Sequence, residues 1–211
     1  MTAVPGNWHV LGCKGCGSAI VEAALVLANI PYDREEADYG KTEGHDKLVA
    51  AGNPLAQVPT VTLPDGTVMT ESAALVLYID GLVPELGLVP HVRDPLRRDF
   101  LRWLMFLVAA VYPTFTYGDE PAKWVGESGD KLRASTDEHR ESLWRLVEGS
   151  VRGPWFLGDR PSALDLYVSV MTRWRPRRAW FAEHCPRLHT IAVAVDGDAR
   201  LQQVWKTNFD D

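Results

Sequence analysis

The sequence predicts an α/β unit of order βαβ–ββα followed by an all-helical unit. Three observations carry that prediction. Residues 8–12 (WHVLG) are a short apolar run, and after a glycine-rich CKGCGS the apolar residues recur at helix spacing. Pro64-Asp65-Gly66 then separates two short β-prone segments as a tight hairpin turn. From Leu96 onward no segment alternates with the period of a strand.

The elements follow in order. The run at 8–12 reads as a buried strand. Ile20, Ala23, Ala24 and Leu27 define the first helix, which Asn29 and Pro31 bring to a stop. Tyr32 to Ala37 reads as a second strand, so the first three elements form the unit that builds a parallel pair. A short, irregular helix is expected around His45 to Ala51. Pro59 to Leu63 and Thr67 to Thr70 are the two hairpin strands, and Glu71-Ser72 opens an apolar helix from Ala73 to about Leu82. Pro84, Pro90 and Pro95 punctuate the segment after it. The expected division is therefore residues 1–83, a linker 84–95, and a helical unit 96–211.

In that second half, residues 96–117 are apolar and aromatic. Residues 129–150 form an amphipathic helix expected to bury Leu132, Leu143, Leu146 and Val147. Ser162 and Asp165 have the spacing of a capping box. The helix behind it, to about Trp174, is apolar almost all round, which implies burial in a bundle. Pro186 to about Val195 reads as the final helix.

Composition narrows the functional classes. The chain has 211 residues, 46% hydrophobic and 24% charged, which is ordinary globular usage and excludes disorder for most of its length. A net charge of -6 disfavours a general nucleic-acid binder. The basic and aromatic run Trp174 to Trp180 is accordingly read as a kinked helix end with solvated arginines. No apolar stretch is expected to reach a membrane span, and Met1 to Trp8 carry no export signal. Three cysteines, two of them in Cys13-Lys14-Gly15-Cys16, point to a reducing compartment, and the expected location is cytoplasmic.

Three places could carry chemistry. Cys13 ends a strand and Cys16 sits at a helix start, where free amides and the helix dipole stabilise a thiolate. The same pair also fits as small residues filling a glycine-rich loop. No second cysteine pair exists to complete a zinc site, so no metal is expected. Val58, ahead of Pro59, can present its backbone to an extended peptide-like ligand, or simply begin a strand. Glu71 and Ser72 can receive a ligand's ammonium and carboxylate, or cap the helix that follows.

Together, GSAIVEAALVLANIPYD, NPLAQVPTV, LPDGTVMTESAALVLYI and FLGDRPSALDLYV resemble the glutathione transferase superfamily over essentially the whole chain. The resemblance implies a thioredoxin-like N-terminal domain that binds glutathione. It also implies an all-α C-terminal domain that shapes a second-substrate pocket, and a homodimer. Val58 and Pro59 would hold the cysteinyl backbone of glutathione, Glu71 and Ser72 its γ-glutamyl end, and Gln57 would add a contact. Ser162 and Asp165 match the family's folding box and are assigned to stability. Trp103, Phe106, Tyr112 and Trp174 could line the pocket for an apolar substrate or form plain core.

The catalytic position departs from the tyrosine-type classes, because the first tyrosine is Tyr32. The serine- and cysteine-type classes use the loop that here holds Cys13, Cys16 and Ser18. Cys16 is the first choice, Ser18 the alternative donor to the glutathione thiolate, and Cys13 a resolving thiol. The leading expectation is conjugation of glutathione to a small electrophile, as in detoxification. The runner-up is disulfide reduction or deglutathionylation through Cys16, and a non-catalytic scaffold is the third reading.

Overall fold

The computed structural model describes residues 6–210. Met1 to Pro5, within the stretch read as free of an export signal, and Asp211 lie outside them. The first strand, β1 (Trp8–Gly12), takes the centre of a four-stranded sheet because Trp8, Val10 and Leu11 all need burial. Its parallel neighbour is β2 (Tyr32–Glu36), and the crossover between them is α1 (Ser18–Leu27). On the other side β3 (Thr60–Thr62) runs antiparallel to β1, and β4 (Val68–Met69) pairs outside β3. The strands agree with the sequence reading except at their ends, where Ala37, Pro59, Leu63, Thr67 and Thr70 fall out of the ladder.

Two further helices complete this part, α2 (Thr42–Ala50) and α3 (Ser72–Leu82). Leu11, Ala37, Leu48 and Ala56 form one small cluster that ties α2 to β1, with Ala51 and Val58 packed on it. Gly44 lets α2 ride directly on the backbone of Asp38, where any Cβ would collide with the Asp38 carbonyl. On α1, every residue from Ser18 to Leu25 is buried, so this helix is covered all round. One cover is α3.

In the helical part, α4 (Arg97–Phe106) passes through a π-helical turn at Leu107–Val111 into α5 (Tyr112–Asp119) without interruption. The continuous helix Arg97–Asp119 is long and apolar enough to cross a membrane, a length that the sequence reading did not anticipate. Within the unit it buries Phe100, Trp103, Leu104, Leu107, Val111 and Phe115. After α6 (Ala122–Val125) comes α7 (Gly129–Glu148), whose buried residues Arg140, Leu143, Trp144 and Val147 keep the i, i+3, i+4, i+7 rhythm. Leu146, expected inside, is 59% exposed, because it falls about 110° round the helix from the mean of that stripe. Leu132 is half-buried, and Trp144 takes the core position instead.

Arg140 is a buried cation that the sequence reading did not foresee. Its Nε donates to Thr114 Oγ1 at 2.8 Å, its Nη2 to the Thr114 carbonyl at 2.8 Å and its Nη1 to Asp137 at 2.6 Å, and the guanidinium stacks 4.1 Å from the Phe115 ring. The capping box forms at the head of α8 (Ala163–Met171), which is buried throughout. Asp165 accepts from Ser162 N at 2.7 Å, Ser162 Oγ at 3.0 Å and Phe156 N at 2.8 Å. Next come α9 (Arg178–His184) and α10 (Pro186–Asp196). The arginines between Trp174 and Trp180 are not simply solvated, contrary to expectation. Arg175 pairs with Asp119 at 2.6 Å and Asp137 at 3.1 Å, and Arg178 donates to the Ser169 carbonyl at 2.8 Å.

The sequence reading ended its helices at Val195, whereas a 3-10 turn at Ala199–Leu201 and α11 (Gln202–Phe209) follow. This end of the chain lies against α1 and buries Leu201, Val204 and Trp205. Residues up to Val89 and those from Ala194 onward therefore form one compact unit, and Pro90–Val193 the other. The sequence division at 84–95 had left this terminal segment with the helical half. A short amphipathic helix carries the same pattern whichever surface it covers.

Candidate functional site

Strand register gathers the candidate residues. Gly12 lies beside Glu36 in the parallel pair, Leu11 beside Thr60, and Val61 beside Met69. The segments after Gly12 and Glu36, the one before Thr60 and the one after Met69 therefore leave the sheet at the same end. They carry Cys13 to Ser18, Asp38 and Tyr39, Gln57 to Pro59, and Glu71 with Ser72. The carboxyl ends of parallel strands are where such sheets accept ligands.

The cysteine loop is tight. Gly15 has φ of 75°, a left-handed conformation that glycine adopts without strain, and Cys16 N donates to the Cys13 carbonyl at 3.1 Å. Cys13 is buried and Cys16 half-buried, and neither is in a disulfide. Helix α1 begins at Ser18 with Gly17 as its cap, so Cys16 stands ahead of the cap and not on the first turn. Its thiol is nonetheless held below the ordinary cysteine range, first by a hydrogen bond from the Cys13 thiol and then by the Tyr39 hydroxyl, against burial and the carboxylates of Glu36 and Asp38. Cys13 moves the opposite way, upward, through that shared hydrogen bond and burial. The Tyr39 oxygen stands 3.8 Å from Cys16 Sγ.

Ser18 occupies a different environment. It is fully buried, accepts from Cys13 N at 3.2 Å and donates to the Cys13 carbonyl at 3.3 Å. Its hydroxyl locks the loop backbone to the helix start. Cys185, in the other unit, is buried and pushed up to about 12 by desolvation.

The Val58–Pro59 peptide is cis, and Val58 is half-buried while Gln57 is exposed. Asn53, buried and assigned no role by the sequence reading, organises this turn. Its Nδ2 donates to the Gln57 carbonyl at 2.9 Å and Thr60 Oγ1 at 2.8 Å, and its Oδ1 accepts from Leu55 N at 3.1 Å. Glu71 stands at the N-cap position of α3 without making a side-chain capping bond, and its φ is 65°. A non-glycine residue held there stores about 1–3 kcal/mol of strain, a feature that clusters at binding sites. Ser72 is the first residue of α3.

Tyr39 is the functional candidate that sequence reasoning missed. Its signal was positional, since Tyr39 follows β2 as Cys13 follows β1, and adjacent parallel strands end side by side. In the helical unit the four aromatic residues fall into two groups. Trp103 is buried against Phe106 (5.1 Å between centroids) and Phe156 (5.7 Å), while Trp174 meets Tyr112 (5.4 Å) and Phe115 (5.1 Å). Phe106, Tyr112 and Trp174 keep part of their surface accessible. Among the described residues no group of three or more His, Cys, Asp or Glu side chains could hold a metal ion.

Comparison with known proteins identifies the family. Residues 18–82 match the family model for the glutathione S-transferase N-terminal domain. The chain is 36% identical over 201 residues to the uncharacterized GST-like protein YncG of Escherichia coli K12, covering 94% of this chain and 97% of that one. It is 26% identical over 125 residues to glutathione S-transferase GstA of Escherichia coli O157:H7, 59% and 60% of the two chains. A glutathione transferase homolog from Sulfitobacter, solved with bound glutathione, superposes with a TM-score of 0.84 at 24% identity, over 96% of this chain and 99% of that one. The sheet unit is thus a thioredoxin-like domain joined to a mostly helical part. With identity sustained along nearly the full length of both it and YncG, the chain belongs to the glutathione transferase superfamily.

Proposed function

We propose that the protein binds glutathione at the sheet end described above and joins its thiol to a small, apolar electrophile. The observation that carries this reading is the register that brings the cysteine loop, Val58-Pro59 and Glu71-Ser72 to one end of the sheet. An extended tripeptide laid there meets the backbone of Val58 in the manner of an added strand, with Gln57 alongside. Its γ-glutamyl carboxylate meets Ser72 and the first amides of α3, and its ammonium meets Glu71. The strained backbone of Glu71 and its uncapped side chain support a ligand role over simple capping. The electrophile is assigned to the part-accessible aromatic residues of the helical unit, Phe106 backed by Trp103 in one group and Tyr112 with Trp174 in the other. The reading includes a homodimer in the cytoplasm, with neither nucleic acid nor membrane as partner.

A second chemistry has its own support. Ser18 is buried and engaged with the Cys13 backbone, whereas Cys16 is partly accessible and has its thiolate stabilised by two donors. That favours thiol exchange. The Cys16 thiolate attacks the glutathione sulfur of a mixed disulfide, expels the partner thiolate, which takes a proton from solvent, and becomes the glutathionylated enzyme. Attack by a second glutathione thiolate on that sulfur releases oxidised glutathione and restores Cys16. Cys13, whose thiol is pushed upward, serves in this scheme as hydrogen-bond donor more than as resolving nucleophile. Removal of glutathione from a conjugate starts with attack of the Cys16 thiolate on the thioether sulfur. That step expels the carbon group as a stabilised carbanion or enolate, which solvent protonates, and leaves the same glutathionylated enzyme.

Calorimetric titration of the reduced protein with glutathione tests the shared part. Saturable binding is expected, weakened about tenfold to a hundredfold by Glu71→Ala through loss of a charged hydrogen bond. Absence of binding by the wild type overturns both chemistries and returns the fold to a scaffold role. Cys16→Ser then separates them: exchange is lost while conjugation persists. If both survive, the thiol has no part in either.

A further inference from the structure

The two middle amides of the cysteine loop are held by partners far apart in sequence. Lys14 N donates to Glu36 Oε1 at 3.0 Å, and Gly15 N donates to the Asn208 carbonyl at 2.8 Å. These two partners are the ends of one polar chain. Glu36 Oε2 accepts from Arg34 Nη2 at 2.8 Å, and Arg34 Nε reaches Glu22 Oε1 at 3.3 Å. Glu22 Oε2 in turn accepts from Asn208 Nδ2 at 3.0 Å. Glu22 and Asn208 are almost wholly buried, at 1% and 2% exposure, so neither can exchange this bonding for water.

The chemistry of each link explains why it exists. Asn208 lies in the last turn of α11, where carbonyls have no partner within the helix, and the Gly15 amide satisfies one of them. Glu22 sits in the middle of buried α1, where its carboxylate requires a cation and a donor, and Arg34 and Asn208 supply them. Arg34 alone spans two carboxylates, which its fork allows and an ammonium would not reproduce.

We propose that Glu36 and Asn208, linked through Arg34 and Glu22, are positioning residues that fix the Cys13–Cys16 loop, so that α11 sets the reactivity of Cys16. The proposal rests on Cys16 being the reactive thiol. The charged and titratable groups facing Cys16 are Cys13 on its own loop and Glu36, Asp38 and Tyr39 from the end of β2. A loop held at Lys14 and Gly15 keeps Cys16 within reach of its two donors, and a loosened loop loses them.

The test uses the full chain and needs no glutathione. Alkylation of Cys16 by iodoacetamide is followed across pH in Glu36→Ala and Asn208→Leu, together with hydrogen exchange at the Lys14 and Gly15 amides. Glu36→Ala separates positioning from plain electrostatics. Removing a nearby negative charge would by itself move the alkylation midpoint to lower pH, whereas release of the loop moves it to higher pH. The expected result is an upward shift of about half a unit or more in both variants, with loop amides exchanging at least tenfold faster and the Val10 and Val61 amides unchanged. Arg34→Lys should produce the same change and Arg34→Ala a larger one. A downward or absent shift in Glu36→Ala, or faster exchange spread evenly over the sheet, overturns the proposal. Glutathione titration of the same variants keeps the two questions apart, because failure to bind glutathione leaves these readouts intact.

Discussion

Two groups can donate to the Cys16 thiolate, the Cys13 thiol and the Tyr39 hydroxyl, and substitution separates them. Tyr39→Phe removes the hydroxyl while leaving the ring, so the thiolate loses one hydrogen bond and its pKa rises. The alkylation midpoint is expected to move upward by about one to two pH units, the value of a single hydrogen bond to a charged group. An unchanged midpoint would mean that Cys13 alone stabilises the thiolate. Local motifs pointed to much of the candidate site: Cys13 and Cys16 by their spacing, Val58-Pro59 by the proline, and Glu71-Ser72 by a hairpin turning into a helix. Tyr39, Asn53, Glu22, Arg34 and Asn208 left no such mark. Tyr39, Glu22, Arg34 and Asn208 reach partners 12 to 186 residues away, whereas Asn53 bonds to residues close by in a turn; in each case a polar side chain looks the same in sequence whether it meets water or a buried partner.

Among the elements, α8 illustrates a signal that is local and complete. The capping box needs only Ser162 and Asp165, three residues apart, and Ser162→Ala should cost about 1–2 kcal/mol in denaturant unfolding. Asp165 adds a pH dependence. Burial outweighs its hydrogen bonds and lifts the carboxyl from 3.8 to about 6. The folded chain thus binds this proton more tightly than the unfolded one, and stability from the group is lost as pH rises from about 4 to about 6. Asp165→Asn removes that slope, so wild type should gain on the variant by on the order of 3 kcal/mol as pH falls from 7 to 4. Parallel pH-dependent unfolding curves would refute it. Helix faces were less legible than helix ends. On α7 the apolar Leu146 faces out and the cationic Arg140 faces in, because Thr114, Asp137 and the Phe115 ring supply a site that only tertiary structure assembles.

For the whole molecule, the two places where the chain passes between compact units differ in the local signal they carry. Prolines mark the chain near residue 90, whereas the return at Ala194 falls inside the last turn of an ordinary helix. A fragment ending at Val89 therefore lacks Leu201, Val204, Trp205 and Asn208 against α1. Such a fragment should show weak amide protection in α1, and a peptide spanning 194–211 should restore it in trans. Full protection in the fragment alone would show that the terminal helix is dispensable.

The bond from Gly15 to Asn208 also has a consequence for synthesis. A ribosome builds the chain from its amino end, and domains ordinarily settle as they emerge. Here the loop bearing Cys16 precedes its anchor Asn208 by most of the described residues. A nascent chain that has not yet reached Asn208 would carry Cys16 without the clasp, leaving its thiol close to ordinary behaviour until that residue is added.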